Sequence, residues 1–224
     1  MTEVVALVAA RNEAGRIEAT VHGLLSIPRV TRVVVVDDGS RDDTSARALA
    51  AGARVLRRDR ARGKGGALEG ALRGLPPADV WLLADGDLDD SAAELGGLLE
   101  PVLDGSADLV VGVVPPGEGG GFGLVKRFAA RAIRRLGGIV VVEPLSGQRA
   151  ITGAAMEAVR PLSGGFGLET AMTIDAARAG LRVREVLVEV RHRPTFRTVR
   201  GFAHRGRQGL EILAVVSARA LWRR

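Results

Sequence analysis

Two apolar segments of the chain each end in a group of carboxylates. Four consecutive valines precede Asp37 and Asp38, and residues 80–84 precede Asp85 and Asp87. Continuous apolar runs of this length predict strands that are buried on both faces, as in a parallel sheet. Because such sheets bind ligands at the carboxyl ends of their strands, we expect the two carboxylate groups to share one crevice. Bare carboxylates are costly to bury, so this crevice is expected to be solvated or to hold a cation.

The rest of the first half repeats this alternation of strands and helices. Asn12, Ser40 and Ser91 each precede a helical pattern, where a small polar side chain favours a helix start. This alternation predicts right-handed βαβ units and an α/β fold with a doubly wound, mostly parallel sheet. The predicted strands cover residues 4–9, 33–37, 54–56, 80–84 and 108–114, and the predicted helices cover residues 12–25, 40–51, 65–75 and 91–103.

The second half begins with a loop rich in glycine and proline at residues 115–121. We place there the boundary between two halves, 1–114 and 115–224, of one domain, because 224 residues suit a single core. The second half is predicted to contain helices at residues 122–136, 153–159, 168–179 and 202–222, a half-buried strand at 183–190 and a short apolar run at 139–142.

The composition limits the classes of partner. Cysteine is absent, which excludes disulfides, thiol catalysis and cysteine-bound zinc. Aromatic residues make up only 3% of the chain and include no tyrosine, which argues against nucleic-acid binding by base stacking. No apolar run is long enough to span a bilayer, and the first residues lack the basic leader of a secretory signal. We therefore expect a cytoplasmic protein with no nucleic-acid partner.

The net charge of +6 arises mainly from basic residues at 126–135 and 191–224. This pattern suits anionic partners, such as phosphorylated substrates or an acidic lipid surface. A coding bias towards arginine and alanine explains the same pattern. Peripheral contact of residues 122–136 and 202–222 with the inner face of a membrane therefore competes with ordinary packing of these helices on the sheet.

A glycine-rich basic segment lies between the two carboxylate groups. Arg62 and Lys64 alternate with Gly63 and Gly65 near the start of a predicted helix. Backbone N–H groups at a helix start, with cationic side chains beside them, suit an anionic phosphate. The spacing is not that of a P-loop, and an ordinary solvated loop is the competing interpretation.

Asp85, Gly86 and Asp87 form an Asp-x-Asp element directly after a buried strand. Hard divalent cations such as Mg²⁺ and Mn²⁺ prefer oxygen ligands and often keep substrate phosphates in their shell. Two carboxylates one residue apart can therefore have different roles: one binds the metal and the other accepts a hydrogen bond from a sugar hydroxyl. After the first predicted strand, Glu13 suits a hydrogen bond from a ribose or base, or simply an acidic first helical turn.

These elements together resemble the family-2 glycosyltransferases of the GT-A fold. The resemblance implies a three-layer α/β sandwich with a mostly parallel sheet, which binds a nucleotide-diphospho-sugar. Arg11 departs from the pattern, because many relatives have tyrosine there. The segments that carry the resemblance are residues 10–13, 35–40, 62–67 and 85–87 in the first half, and residues 144–149, 165–169, 180–186 and His192 in the second.

The resemblance also implies a role for each matched residue. Asp87 and Glu169 would be catalytic, and Asp87, Asp85 and His192 would hold Mg²⁺ or Mn²⁺. The implied nucleotide-sugar-binding residues are Ala10, Asn12, Glu13, Asp38, Gly39, Arg62, Gly63, Lys64, Asp85 and Gly86. The implied acceptor-binding residues are Ser146, Gly147, Gln148 and Arg149.

The implied activity is metal-dependent transfer of a sugar from a nucleotide-diphosphate donor to a phosphorylated acceptor. Arg127, Arg131, Arg149 and Arg193 favour a phosphorylated acceptor by charge. We interpret this acceptor as a polyprenyl phosphate; the alternative is a small soluble phosphate, as in the similar glucosyl-3-phosphoglycerate synthases. A hydroxyl acceptor needs a general base, for which Glu169 is the candidate. A nucleotidyltransferase and a non-catalytic nucleotide-sugar-binding protein are the alternatives from other classes, and a homodimer is compatible with the sequence.

Overall fold

The computed structural model describes residues 2–114, 123–190 and 199–221. Strands and helices alternate through most of these residues, as the sequence predicts. The strands are β1 (Val4–Ala10), β2 (Arg32–Asp37), β3 (Arg54–Arg57), β4 (Val80–Asp85), β5 (Leu109–Val113), β6 (Arg149–Thr152) and β7 (Val183–Leu187). The helices are α1 (Ile17–Leu25), α2 (Thr44–Ala50), α3 (Gly63–Leu72), α4 (Glu100–Leu103), α5 (Leu124–Gly137), α6 (Gly153–Val159), α7 (Leu168–Arg178) and α8 (Val199–Leu221).

The described strands form one sheet in the order β3-β2-β1-β4-β6-β5-β7. β1 pairs in parallel with β2 and β4, and β5 pairs in parallel with β7. Alternate residues of β1 enter two separate apolar cores: Ala6 and Val8 pack with α1 and α2, while Val5 and Leu7 pack with α3, α6 and α7. The chain is therefore an α/β three-layer sandwich with a mostly parallel sheet, as expected.

β6 is a strand that the sequence interpretation missed. It lies between β4 and β5 and is antiparallel to both, with Ile151 opposite Trp81 and Leu109. The strand has only four residues and begins with the charged Arg149, so it shows neither a long apolar run nor regular alternation. Through β6, the second half of the chain contributes a strand to the middle of the sheet.

Several predicted helix starts also differ from the structure. α1 begins at Ile17, because Asn12 adopts a left-handed backbone conformation (φ 57°) instead of capping the helix. α2 begins at Thr44 rather than after Ser40, whose hydroxyl accepts a hydrogen bond from the Asn12 amide. Polar side chains of this kind compete with helix formation by bonding to nearby backbone.

The segment predicted as one helix over residues 91–103 is instead a 3₁₀ helix at Asp89–Leu98 followed by the short α4. Gly96 and Gly97 lower the helical propensity there, and Pro101 cannot donate a backbone hydrogen bond. The apolar run at residues 139–142 forms no strand, and β7 ends at Leu187 rather than Val190. Among the described residues, no helix is long and apolar enough to cross a membrane.

Candidate active site

The carboxyl ends of β1, β2 and β4 lie side by side at one edge of the sheet, which we call the carboxyl edge. In the strand register, Ala10 is opposite Asp37, and Ala9 is opposite Asp85. The two groups of carboxylates therefore flank the end of β1, as the sequence predicts. Gly86 lies close to the same strand, because a Cβ added there would be 2.9 Å from the Cβ of Ala10.

Asp38 fastens the glycine-rich loop to the carboxyl edge. Its carboxylate accepts hydrogen bonds from the backbone amides of Arg62 and Gly63, each at 2.8 Å. The side chain is almost fully buried, at 5% exposure. The sequence predicts that Asp38 contacts the nucleoside, whereas the contacts it makes here hold the loop that precedes Lys64.

Asp37 fastens its own turn. It is completely buried and accepts hydrogen bonds from the Ser40 amide at 2.8 Å and from the Ser45 hydroxyl. Gly39, at φ 75°, allows the neighbouring chain to approach, since a Cβ there would be 3.2 Å from the Ala61 amide nitrogen. The two adjacent aspartates thus anchor different segments, which explains why both are carboxylates.

Asn12 and Glu13 connect the end of β1 to the turn after β2. The Asn12 side-chain oxygen accepts from the Arg41 amide at 2.9 Å, and the Glu13 amide donates to the Thr44 hydroxyl at 2.8 Å. The Glu13 side chain is half-buried. The sequence assigned both residues to the donor site, and the structure places both at the carboxyl edge.

Lys64 occupies the centre of a charged cluster, which we call the Lys64 cluster. Its Nζ lies 2.6 Å from Oδ1 of Asp85 and 3.0 Å from Oε1 of Glu169. The second Asp85 oxygen accepts from Nε2 of Gln148 at 2.7 Å. The cluster consists of Lys64, Asp85, Glu169 and Gln148, and it joins the first turn of α3, the end of β4, the first turn of α7 and the residue before β6.

The charge of Lys64 is stabilised by its partners. Burial by itself would lower the pKa of Lys64, but Asp85 and Glu169 outweigh that effect and raise the pKa above its ordinary value. The side chain as a whole retains 22% exposure. An ammonium group has three N–H donors, and Asp85 and Glu169 occupy two of them, which leaves one for a phosphate oxygen at the carboxyl edge.

Glycine at position 147 makes room for this cluster. A Cβ at Gly147 would lie 2.2 Å from Nζ of Lys64 and 2.7 Å from Oδ2 of Asp85. Glu185 of β7 holds the chain that leads to it by accepting hydrogen bonds from the amides of Val142 and Glu143. The segment before β6 is therefore held in place next to the Lys64 cluster.

Gln148 and Arg149, which we expected to face the acceptor, are fully buried in the structure, at 0% and 1% exposure. Arg149 belongs to β6, and its guanidinium donates to the Ser146 carbonyl and to the Thr173 hydroxyl, both at 2.9 Å. Its Nη2 is buried without a hydrogen-bond partner. Burial lowers the pKa of Arg149 to about 10, against the opposing effect of nearby carboxylates, of which Glu169 is the foremost. Arg149 therefore has a structural role, because it links the Ser146 carbonyl to the Thr173 hydroxyl inside the protein.

A turn at Gly165–Gly167 brings the second half onto the glycine-rich loop. A Cβ at Gly65 would lie 1.8 Å from the Ser163 carbonyl oxygen, and a Cβ at Gly63 would lie 3.5 Å from the backbone of Gly165. α8 covers the same turn, because a Cβ at Gly165 would lie within 1.9 Å of the Glu211 carboxylate. These contacts depend on glycine and were not predicted from the sequence, since each joins residues far apart in the chain.

Asp85 and Asp87 are the residues of the Asp-x-Asp element that would hold a divalent cation. Asp85 is held by Lys64 and Gln148, and Asp87 is half-buried at the end of the same strand, with its carbonyl accepting from Arg16. No group of three metal-binding side chains is present in the described part of the chain. His192, which we predicted as a third ligand, lies outside it. The oxygen donors of the Asp-x-Asp element fit Mg²⁺ or Mn²⁺ when ligand oxygens complete the shell.

The sheet order and the carboxyl edge together define the GT-A fold. Residues 5–148 match the family model described as Glycosyl transferase family 2, and the chain belongs to that family. Glucosyl-3-phosphoglycerate synthase of Mycobacterium tuberculosis is 31% identical over 192 residues, covering 74% of this chain and 58% of that protein. Glycosyltransferase AglJ of Haloferax volcanii is 30% identical over 166 residues, covering 72% of this chain and 54% of that protein.

Solved structures give the same relationship. The crystal structure of the M. tuberculosis synthase in complex with Mn²⁺, uridine-diphosphate and phosphoglyceric acid superposes with a TM-score of 0.83 at 28% identity. The match covers 97% of this chain and 78% of that one. This chain therefore spans a little over half of the curated relatives' length and most of the crystallised chain.

Proposed function

We propose that this protein transfers a sugar from a nucleotide-diphospho-sugar to a small phosphorylated acceptor. The observation that carries the proposal is the Lys64 cluster, in which a lysine and two carboxylates, Asp85 and Glu169, meet at the carboxyl edge. Membership of glycosyl transferase family 2 supports the reaction class. The M. tuberculosis synthase, which crystallises with Mn²⁺, uridine-diphosphate-glucose and phosphoglyceric acid, supports the choice of donor and acceptor.

Asp85 and Asp87 are the residues that would hold the cation beside the donor diphosphate. A bound Mg²⁺ or Mn²⁺ would neutralise charge on the departing diphosphate. Lys64 adds a fixed positive charge at the same edge, already paired and oriented, so it needs little reorganisation during the reaction. The start of α3, which carries Lys64, is held in turn by Asp38.

Glu169 is the candidate general base. Its carboxylate is 10% exposed and lies 3.0 Å from Nζ of Lys64, so it faces the same space as the cation-binding pair. An acceptor hydroxyl that attacks the anomeric carbon would pass its proton to this carboxylate. An acceptor phosphate is already anionic and needs no such base.

Comparison with known proteins favours the small soluble acceptor over the polyprenyl phosphate that we first inferred. The synthases among the relatives are named for phosphoglycerate, and several solved complexes contain phosphoglyceric acid or glycerol 3-phosphate. A polyprenyl phosphate is the second candidate, favoured by one observation. Along α5, a groove of about 600 Å³ combines exposed Leu124 and Val140 with Arg127, Arg131 and Arg134. Apolar side chains next to arginines suit an anionic lipid.

Thermal unfolding with nucleotide diphosphates provides the first test. We expect UDP or GDP, in the presence of Mn²⁺, to raise the unfolding temperature, because a ligand that binds only the folded state stabilises it. Asp87→Asn should remove the shift, and the exposed Asp43→Asn should retain it. Absence of a shift with every nucleotide tested would overturn the proposed donor.

Transfer of labelled sugar then distinguishes the acceptors. Labelled nucleotide-sugar is incubated with 3-phosphoglycerate, or with polyprenyl phosphate in lipid vesicles. We expect label in a water-soluble product. Label that appears only in the lipid fraction would show that the acceptor is a polyprenyl phosphate and not a small soluble phosphate.

A further inference from the structure

Gln148 uses both polar atoms of its side chain to bind one residue, Asp85. Its Nε2 donates a hydrogen bond to Oδ2 of Asp85 at 2.7 Å, and its Oε1 accepts one from the Asp85 backbone amide at 3.2 Å. The side chain is completely buried, so solvent does not compete for these two bonds. A residue that the sequence assigned to the acceptor is therefore bonded to the end of β4.

The backbone of Gln148 is also held in place. Its carbonyl accepts a hydrogen bond from the Gly112 amide at 2.8 Å, and its own amide donates to the Ser146 hydroxyl at 3.3 Å. Gly112 leaves room for this approach, because a Cβ there would lie 3.2 Å from the Cβ of Gln148. The side-chain amide therefore reaches Asp85 from a fixed point beside β5.

The two bonds require a donor and an acceptor on one side chain of this length. A carboxylate only accepts, and a backbone amide only donates. A glutamate would offer two acceptors and a like charge, an asparagine is one methylene shorter, and a methionine of similar length has no N–H donor. With Oδ2 of Asp85 bound to Gln148, its Oδ1 lies 2.6 Å from Nζ of Lys64. The orientation of the carboxylate therefore determines where the ammonium group lies.

We propose that Gln148 is a positioning residue, which holds the Asp85 carboxylate in the orientation that keeps the Lys64 ammonium group in place. It acts through Asp85 from inside the protein. Its effect on the position of Lys64 does not depend on what the protein catalyses, whereas its effect on sugar transfer rests on the proposed function.

Nuclear magnetic resonance of protein containing lysine labelled with ¹³C at Cε tests this role, because the chain has two lysines, Lys64 and Lys126. We expect Gln148→Met to lower the order parameter of the Lys64 signal by at least about 0.2, because a side chain that loses its fixed partner becomes more mobile. The Lys126 signal should not change and serves as the internal reference. If Gln148→Met does not fold, Gln148→Asn should give the same loss, because its amide is too short to reach Asp85.

Two further variants separate positioning from general loosening. Ile151→Val shortens another buried side chain of the same segment, which lies opposite Trp81 and outside the Lys64 cluster, so it should leave both signals unchanged. In an Asp85→Ala background, Gln148→Met should have no further effect, because the carboxylate through which it acts is already absent. An unchanged Lys64 signal in Gln148→Met, an equal change in Ile151→Val, or a further loss in the Asp85→Ala background would each overturn the proposal.

Transfer kinetics give the second measurement. We expect Gln148→Met to lower kcat at least about tenfold and to leave the KM of the acceptor nearly unchanged, since a fixed Lys64 charge would act on the departing diphosphate. An active Gln148→Met protein with the kcat of the wild type would overturn the effect on transfer. Absence of transfer by the wild type would instead contradict the proposed function and leave the resonance result standing.

Discussion

At the scale of single residues, neighbouring carboxylates of this protein have different structural roles. Asp37 closes its own turn, Asp38 holds the glycine-rich loop, and Asp85 pairs with Lys64. The sequence predicts that these carboxylates meet at the ends of the strands, because that follows from the strand pattern. It does not predict which of them bonds to protein, because the Asp38 contacts join residues 24 and 25 positions apart.

Asp38→Asn should loosen the glycine-rich loop. An asparagine side chain has one acceptor oxygen, so one of the two amides of Arg62 and Gly63 would face an NH₂ group instead. We expect a loss of about 1–3 kcal/mol in the free energy of unfolding and a weaker affinity for UDP with Mn²⁺. Urea unfolding and calorimetry measure the two effects. Asp43→Asn is the control, since the Asp43 side chain makes no cap hydrogen bond; equal behaviour of the two variants would contradict the anchoring role of Asp38.

Gly147→Ala should displace Lys64 from Asp85, because the added Cβ would lie 2.2 Å from Nζ. The backbone is under no comparable constraint, so we expect the protein to fold with a destabilisation of about 1–3 kcal/mol and to lose most of its transfer activity. Gly97→Ala is the matched control, because nothing lies within 4 Å of a Cβ there. Transfer assays of both variants decide the outcome, and full activity in Gly147→Ala would show that the close contact does not matter.

The raised pKa of Lys64 predicts how stability depends on pH. Lys64 is charged in both folded and unfolded chains below its ordinary pKa of 10.5, so its contribution is fully present there. Above that pH the unfolded chain releases the proton first, and the contribution decreases as the pH rises towards the folded value. Urea unfolding of the wild type and Lys64→Met should therefore differ by a constant amount up to about pH 10 and by less at higher pH. A difference that grows above pH 10.5 would contradict this assignment.

At the scale of elements, the short antiparallel β6 and the first turns of α7 form the floor of the site. Arg149 of β6 donates to Thr173 of α7, and the Thr173 hydroxyl donates to the Glu169 carbonyl at 3.0 Å. The long apolar strands and most helices follow from the sequence pattern. β6 does not, because its place depends on pairing with β4 and β5 rather than on its own four residues.

Two threonines of α7 allow a matched test of this floor. Thr173→Val removes the acceptor of the Arg149 guanidinium and should cost about 1–3 kcal/mol, because a buried charged donor loses its partner. Thr170→Val removes a buried hydroxyl that has no hydrogen-bond partner, so it should be neutral or stabilising. Both side chains are at most 1% exposed, which makes the pair comparable in packing. Thermal unfolding measures both, and equal destabilisation would count against the role of Thr173.

At the scale of the whole molecule, the two halves of the chain share one sheet. The family match ends at residue 148, directly before β6. Without β6, the described contacts leave β5 and β7 with no strand that connects them to β4. The first-half residues that we propose for donor binding therefore depend on the second half for their contacts with Gln148, Glu169 and the turn at Gly165–Gly167.

Truncation tests this dependence. A fragment of residues 1–148 should show no cooperative thermal unfolding and rapid proteolysis, because it lacks β6 and β7. A fragment of residues 1–190 retains every described strand and loses α8, so it should unfold cooperatively at a lower temperature than the full chain. Circular dichroism during heating distinguishes them. Cooperative unfolding of the shorter fragment would show that the first half folds alone.

The position of β6 also limits how a protein of this kind can change its substrate during evolution. A second half that formed a separate unit could be replaced in one recombination event, with the donor half left intact. Here, such an exchange would remove a strand from the middle of the sheet and the partners of Lys64 along with it. New acceptors are therefore expected to arise by substitutions at the surface of loops and helices, while the interleaved strands are inherited as one block.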